Sequence, residues 1–117
     1  MKVFAISLFA CIVAISASAQ TTPKKNTQKT QQVTIPGEIS TLLTKHTCLA
    51  CHKPDQKLVG PAYTEVAKKK YSDEKIVELI YKPQPANWPG YPPMAALTNV
   101  PKEDALKIAK WINSLAK

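Results

Sequence analysis

Cys48-Leu49-Ala50-Cys51-His52 is the stretch on which the reading of this chain turns. It has the form C-x-x-C-H, the attachment signature of a c-type haem. On a helix, side chains three and four positions apart share a face. One helical turn would then offer both sulfurs to a single flat partner, with His52 one turn on from Cys48 and able to reach a metal at its centre. Three other chemistries use parts of the pattern. A thiol–disulfide pair needs a low-pKa first cysteine in a βαβ framework, and no segment here alternates like a strand. Zinc could take His46, Cys48, Cys51 and His52, although structural zinc usually joins two separated pairs, and these four ligands crowd into one short stretch. A Cys48–Cys51 disulfide would close too short a loop to stabilise much. Haem attachment uses all three side chains and is the favoured reading: one covalent haem c, its iron bound by His52.

Outward from the motif, Ile39, Leu42, Leu43 and His46 recur at helical spacing. They predict a first helix from Gly37 to Ala50 that carries the motif in its last turn. Lys53-Pro54-Asp55 stops it, because the residue before a proline is pushed out of the α region. Val59-Gly60-Pro61-Ala62-Tyr63 reads as a turn into a short helix ending at Lys68-Lys69-Lys70. Ser72 caps a third helix, with Asp73 and Glu74 in its first turn and Ile76, Val77, Leu79 and Ile80 along it. Five prolines between Lys82 and Pro93 exclude a regular element there. The last helix opens with Pro101 in its first turn and buries Ala105, Ile108, Trp111, Ile112 and Leu115. The fold class is all-α, about four short helices around one covalently bound haem.

A haem with one protein ligand binds gases or peroxide, whereas one with two mostly moves electrons. Met94 stands at the end of the proline-rich loop and is the sole methionine besides Met1. His46 is the other histidine, but it lies six residues before His52 on the same expected helix, which would have to pass through the haem to reach its far face. Met94 is therefore the expected distal ligand. An ordinary core methionine filling a gap is the plainer alternative. Prolines stiffen a loop by removing unfolded-state freedom, which suits Trp88-Pro89-Gly90-Tyr91-Pro92-Pro93-Met94 as the holder of a weakly bonding sulfur. His/Met ligation raises the reduction potential.

The N-terminus fits export. Met1-Lys2, an apolar run from Val3 to Ile15 and Ser16-Ala17-Ser18-Ala19 read as a signal peptide over residues 1–19, cleaved after Ala19. Uncleaved, it would be an anchor, although the run is short for a spanning helix. Lipid attachment at Cys11 is opposed by the bulky Phe9 and the apolar residues that continue past it. Residues 20–34 form a polar Lys/Thr/Gln-rich linker with too little apolar surface to fold. Residues 35–117 form one domain, with folded structure starting near Ile35. The location expected is periplasmic, tethered to the membrane only if the N-terminal segment is retained.

The 117 residues carry 16 lysines, no arginine and eight acids, a formal charge of +8. Arginine is preferred for phosphate and base contacts, so its absence argues against nucleic acid. Lysine-rich surfaces suit brief docking on acidic proteins; keeping a small domain soluble is the bland alternative.

These residues together resemble a small bacterial class I cytochrome c. The likeness rests on Cys48-Leu49-Ala50-Cys51-His52, Val59-Gly60-Pro61-Ala62-Tyr63, the Trp88 to Met94 loop and Ala109-Lys110-Trp111-Ile112. It covers roughly Ile35 to Lys117. The resemblance implies the cytochrome c fold, in which the N- and C-terminal helices cross and the haem sits in a cleft. It implies that Cys48 and Cys51 hold the haem, with His52 and Met94 as axial ligands. Pro61, or a neighbour, would accept the His52 imidazole proton on its carbonyl. Trp88 would lie near a haem propionate, and Trp111 would pack at the helix crossing. The function expected is a monomeric monohaem electron carrier, not an enzyme, serving acidic redox partners such as an oxidase, reductase or dehydrogenase. Lys45, Lys53, Lys57 and Lys82 would ring the docking edge. The alternative is a ligand-binding or sensor haem domain with a labile sixth ligand.

Overall fold

The computed structural model of the protein describes residues 32–117. The expected signal segment, residues 1–19, and residues 20–31 of the expected linker lie outside the described residues. Four α-helices follow in order: α1 (Gly37–Lys45), α2 (Tyr63–Lys68), α3 (Asp73–Tyr81) and α4 (Lys102–Ser114). Single 3-10 turns occur at Cys48–Ala50 and Pro85–Asn87. No strand occurs among the described residues, so the chain is all-α.

The helix ends follow local chemistry. Ser72 Oγ accepts the Lys75 amide at 3.1 Å and starts α3, with Asp73 and Glu74 in the first turn against the positive end of the helix dipole. Pro101 stands at the N-cap of α4, one place before the first turn where it was expected, and its carbonyl accepts the Ala105 amide at 3.0 Å. A proline fits there because no intrahelical donor is lost. Leu115 falls at the other cap and is half-buried, whereas Ala109 joins Ala105, Ile108, Trp111 and Ile112 in the buried face. The proline-rich stretch does admit one turn of 3-10 helix, Pro85–Asn87, because proline is tolerated at the start of a turn.

The main correction concerns the first helix. It ends at Lys45 instead of continuing to Ala50, because Thr47 adopts a left-handed conformation with φ 57°. That conformation is costly for a β-branched residue and breaks any helix through it. Cys48–Ala50 then form a 3-10 turn of their own, closed by the Cys51 and His52 amides on the Cys48 carbonyl at 3.2 and 3.0 Å. His46 and His52 therefore do not share a helix.

Helix α4 is the hub. Among the described residues α1, α2 and α3 each pack against it, and no two of the three pack on one another. The core joins Ile39 and Leu43 of α1, Tyr63 and Ala67 of α2, Ile76 and Val77 of α3, and the buried face of α4. Leu43 is fully buried and Ile108 is 2 % exposed. Trp111 and Tyr63 meet edge to face with ring centres 5.2 Å apart, which joins α4 to α2. The α1–α4 crossing is also tied by charge. Lys107 reaches Glu38 at 2.8 Å, while Asp104 takes Lys45 at 3.1 Å and His46 Nε2 at 2.9 Å.

Candidate functional site

The space left between α2, α3 and α4 is a cleft of about 320 Å³ with an overwhelmingly apolar lining. That volume lies at the lower end of ligand pockets, roughly 300–1,000 Å³. One wall carries Cys48, Cys51 and His52; the floor includes Ile76, Ile80, Ile108 and Ile112; the other wall is the loop bearing Trp88, Tyr91 and Met94. Cys48, Cys51, His52, Pro61, Trp88 and Met94, the six residues singled out in the sequence, all line this one cleft.

His52 is held on two sides. Its Nδ1 lies 2.8 Å from the Pro61 carbonyl oxygen. A carbonyl only accepts, so Nδ1 carries a proton, and in the neutral ring the lone pair is on Nε2. The ring also stacks on Tyr63, with centres 5.3 Å apart and planes 25° from parallel. The close approach depends on Gly60, where a Cβ would stand 2.5 Å from His52 Cε1 and 2.9 Å from Nδ1. The Gly60 amide, in turn, donates to the Cys51 carbonyl at 2.7 Å. The loop after the motif thus folds back to orient the imidazole.

The other readings of the cysteines lose ground here. Burial is the main cause that pushes the Cys48 thiol above its ordinary value of 9.0, the opposite of an activated redox cysteine. Tyr63 beside it is pushed up as well, by burial first and then by the charge of Cys48. His46 turns away from the cleft to Asp104. Among the described residues no group of three or more His, Cys, Asp or Glu side chains is arranged to hold a metal ion. Two thiols and an imidazole on an apolar wall do fit a flat apolar macrocycle joined at its edge and ligated at its centre.

The opposite loop is built around the turn Trp88-Pro89-Gly90-Tyr91, in which the Tyr91 amide donates to the Trp88 carbonyl at 3.2 Å. Gly90 has φ +86°, which with the preceding proline is the pattern of a type II turn. The two rings meet edge to face at 5.9 Å. Met94 is 38 % exposed and lines the cleft.

Gly60, Tyr63 and Tyr91 were not singled out by sequence. Gly60 stood inside a quoted turn, but nothing local reveals that its missing side chain makes room for a ring eight residues back. Of the four lysines expected at the docking edge, Lys45 is paired with Asp104, and Lys57 lies over Tyr91 at 4.4 Å. No helix among the described residues is long and apolar enough to cross a membrane.

Comparison with known proteins places this geometry in context. A family model for cytochrome c matches residues 37–116. Cytochrome c2 of Rhodocyclus tenuis is 41% identical over 76 residues, spanning 58% of this chain and 82% of that protein. Cytochrome c-552 of Nitrosomonas europaea is 35% identical over 79 residues, spanning 63% of this chain and 75% of that protein. The crystal structure of wild-type Nitrosomonas europaea cytochrome c552 superposes with a TM-score of 0.60 at 32% identity, over 65% of this chain and 98% of that one.

Proposed function

The chain belongs to the cytochrome c family, and we propose that it is an exported monohaem electron carrier whose iron is held by His52 and Met94. Membership implies a covalently bound haem c, and the Cys48/Cys51 pair fits its attachment motif. When bound, the haem supplies one-electron exchange at its iron. Cys48 and Cys51 would hold it covalently at its edge through thioether bonds. His52 presents Nε2, since Nδ1–H is engaged by the Pro61 carbonyl at 2.8 Å. Gly60 and Tyr63 hold that ring at a fixed angle. Met94 offers its thioether from the other wall, and the Trp88 indole N–H is available to a propionate.

The observation that carries this reading is the convergence of the two thiols, a His52 of defined tautomer and Met94 on one apolar cleft. Cleavage after Ala19, a polar Lys/Thr/Gln-rich linker over residues 20–34 and a periplasmic location complete the proposal, because thioether maturation takes place on the export side. Acidic redox proteins such as an oxidase, reductase or dehydrogenase are the partners proposed, approached by a monomer with a surplus of lysine. Mixing the reduced holoprotein with carbon monoxide tests the carrier against the sensor alternative. With Met94 on the iron, the spectrum holds through the mixing time. A prompt shift would indicate an open sixth position and a ligand-binding domain.

A further inference from the structure

Among the described residues, 92–96 make no backbone–backbone hydrogen bond, and Pro92 and Pro93 have no amide to donate. The segment that delivers Met94 is therefore held by something other than its main chain. Just before it, the Trp88–Tyr91 turn sets two aromatic rings edge to face. Each ring is covered by a lysine from elsewhere. Lys57 Nζ lies 4.4 Å from the centre of Tyr91, and Lys69 Nζ lies 4.8 Å from the centre of Trp88. Both distances are within the roughly 6 Å reach of a cation–π contact. Lys69 caps the end of α2. Lys57 belongs to the loop that also supplies Gly60 and Pro61 against His52. The ladder Lys57–Tyr91–Trp88–Lys69 thus ties the wall that orients His52 to the wall that carries Met94.

We propose that Lys57 and Lys69 are positioning residues, which through the Tyr91 and Trp88 rings set how readily Met94 leaves the iron. This rests on the reading of Met94 as the sixth ligand. Without the cations the turn keeps its fold, because Pro89 and Gly90 define it, but the loop loses its ties to α2 and to the His52 wall.

Imidazole added to the ferric holoprotein is the probe, since it binds only when Met94 steps aside. Lys57→Gln and Lys69→Gln should each raise its apparent affinity about two- to fivefold, the size of an exposed cation–π contact. Lys57→Arg and Lys69→Arg should restore wild-type affinity, because guanidinium also stacks on rings. Tyr91→Leu keeps both charges and should raise affinity as the lysine changes do, which separates ring contact from net charge. Glutamine variants that bind imidazole like wild type, arginine variants that fail to restore it, or an unresponsive Tyr91→Leu would each overturn the ladder. Met94→Ala serves as the control and should bind imidazole far more tightly than wild type. If that control behaves like wild type, the ligand assignment falls and takes the ladder with it. If it binds tightly while the other variants are silent, the ladder alone falls.

Discussion

A single methyl group at residue 60 would collide with the His52 ring, the built Cβ standing 2.5 Å from Cε1. Neither partner gives way easily, since the ring is fixed by Pro61 on one side and Tyr63 on the other. Gly60→Ala should therefore displace the imidazole and cost the holoprotein about 1–3 kcal/mol, as overpacking in a tight site does. Urea unfolding measures this, and an unchanged midpoint would mean that the loop relaxes freely. Residues whose chemistry is their own were legible at this scale. Cys48, Cys51, His52 and Met94 announce themselves by type and order, and all reach one cleft. Gly60, Tyr63 and Tyr91 act through what approaches them in space, which no local pattern encodes.

Helix spacing predicted a continuous run to Ala50, and Ile39, Leu42 and Leu43 follow it as far as Lys45. The break at Thr47 was illegible because threonine rarely adopts positive φ; here its hydroxyl bonds the His46 carbonyl at 2.7 Å. The α3 cap, by contrast, was readable from Ser72, Asp73 and Glu74 alone. The α1–α4 crossing adds a pH dependence. His46 and then Lys45, by hydrogen bonding, hold the Asp104 carboxyl below its ordinary value of 3.8. The unfolded carboxyl protonates first as pH falls, so the stabilisation is whole above about pH 4 and is lost as pH drops through the folded value. Lys107 runs the other way. Glu38 raises it above 10.5, so its contribution is whole below that pH and fades as pH rises through the raised value. The gap in thermal midpoint between wild type and Asp104→Asn should close as pH falls from about 4.5 to about 2. A gap that persists at the acid end would show that the carboxylate charge is not what matters.

At the scale of the molecule, three of the helices among the described residues meet a common fourth, and the apolar cleft lies where they do not meet each other. The all-α class and the helix order were legible from periodicity and prolines. The hub role of α4 was not, since it depends on long-range packing. The formal charge of +8 is a property of the entire chain. Electron transfer to an acidic partner should slow several-fold on going from low salt to about 0.15 M, as screening shortens the reach of the lysines; a rate indifferent to salt would reject charge-steered docking. The central claim is that His52 and Met94 grip the iron from the two walls of this cleft. The ferric absorption spectrum of Met94→Ala beside wild type tests it most directly. The account predicts a low-spin spectrum with a sulfur-to-iron charge-transfer band in wild type, and in the variant loss of that band with a shift toward high spin. A variant spectrum indistinguishable from wild type would contradict it.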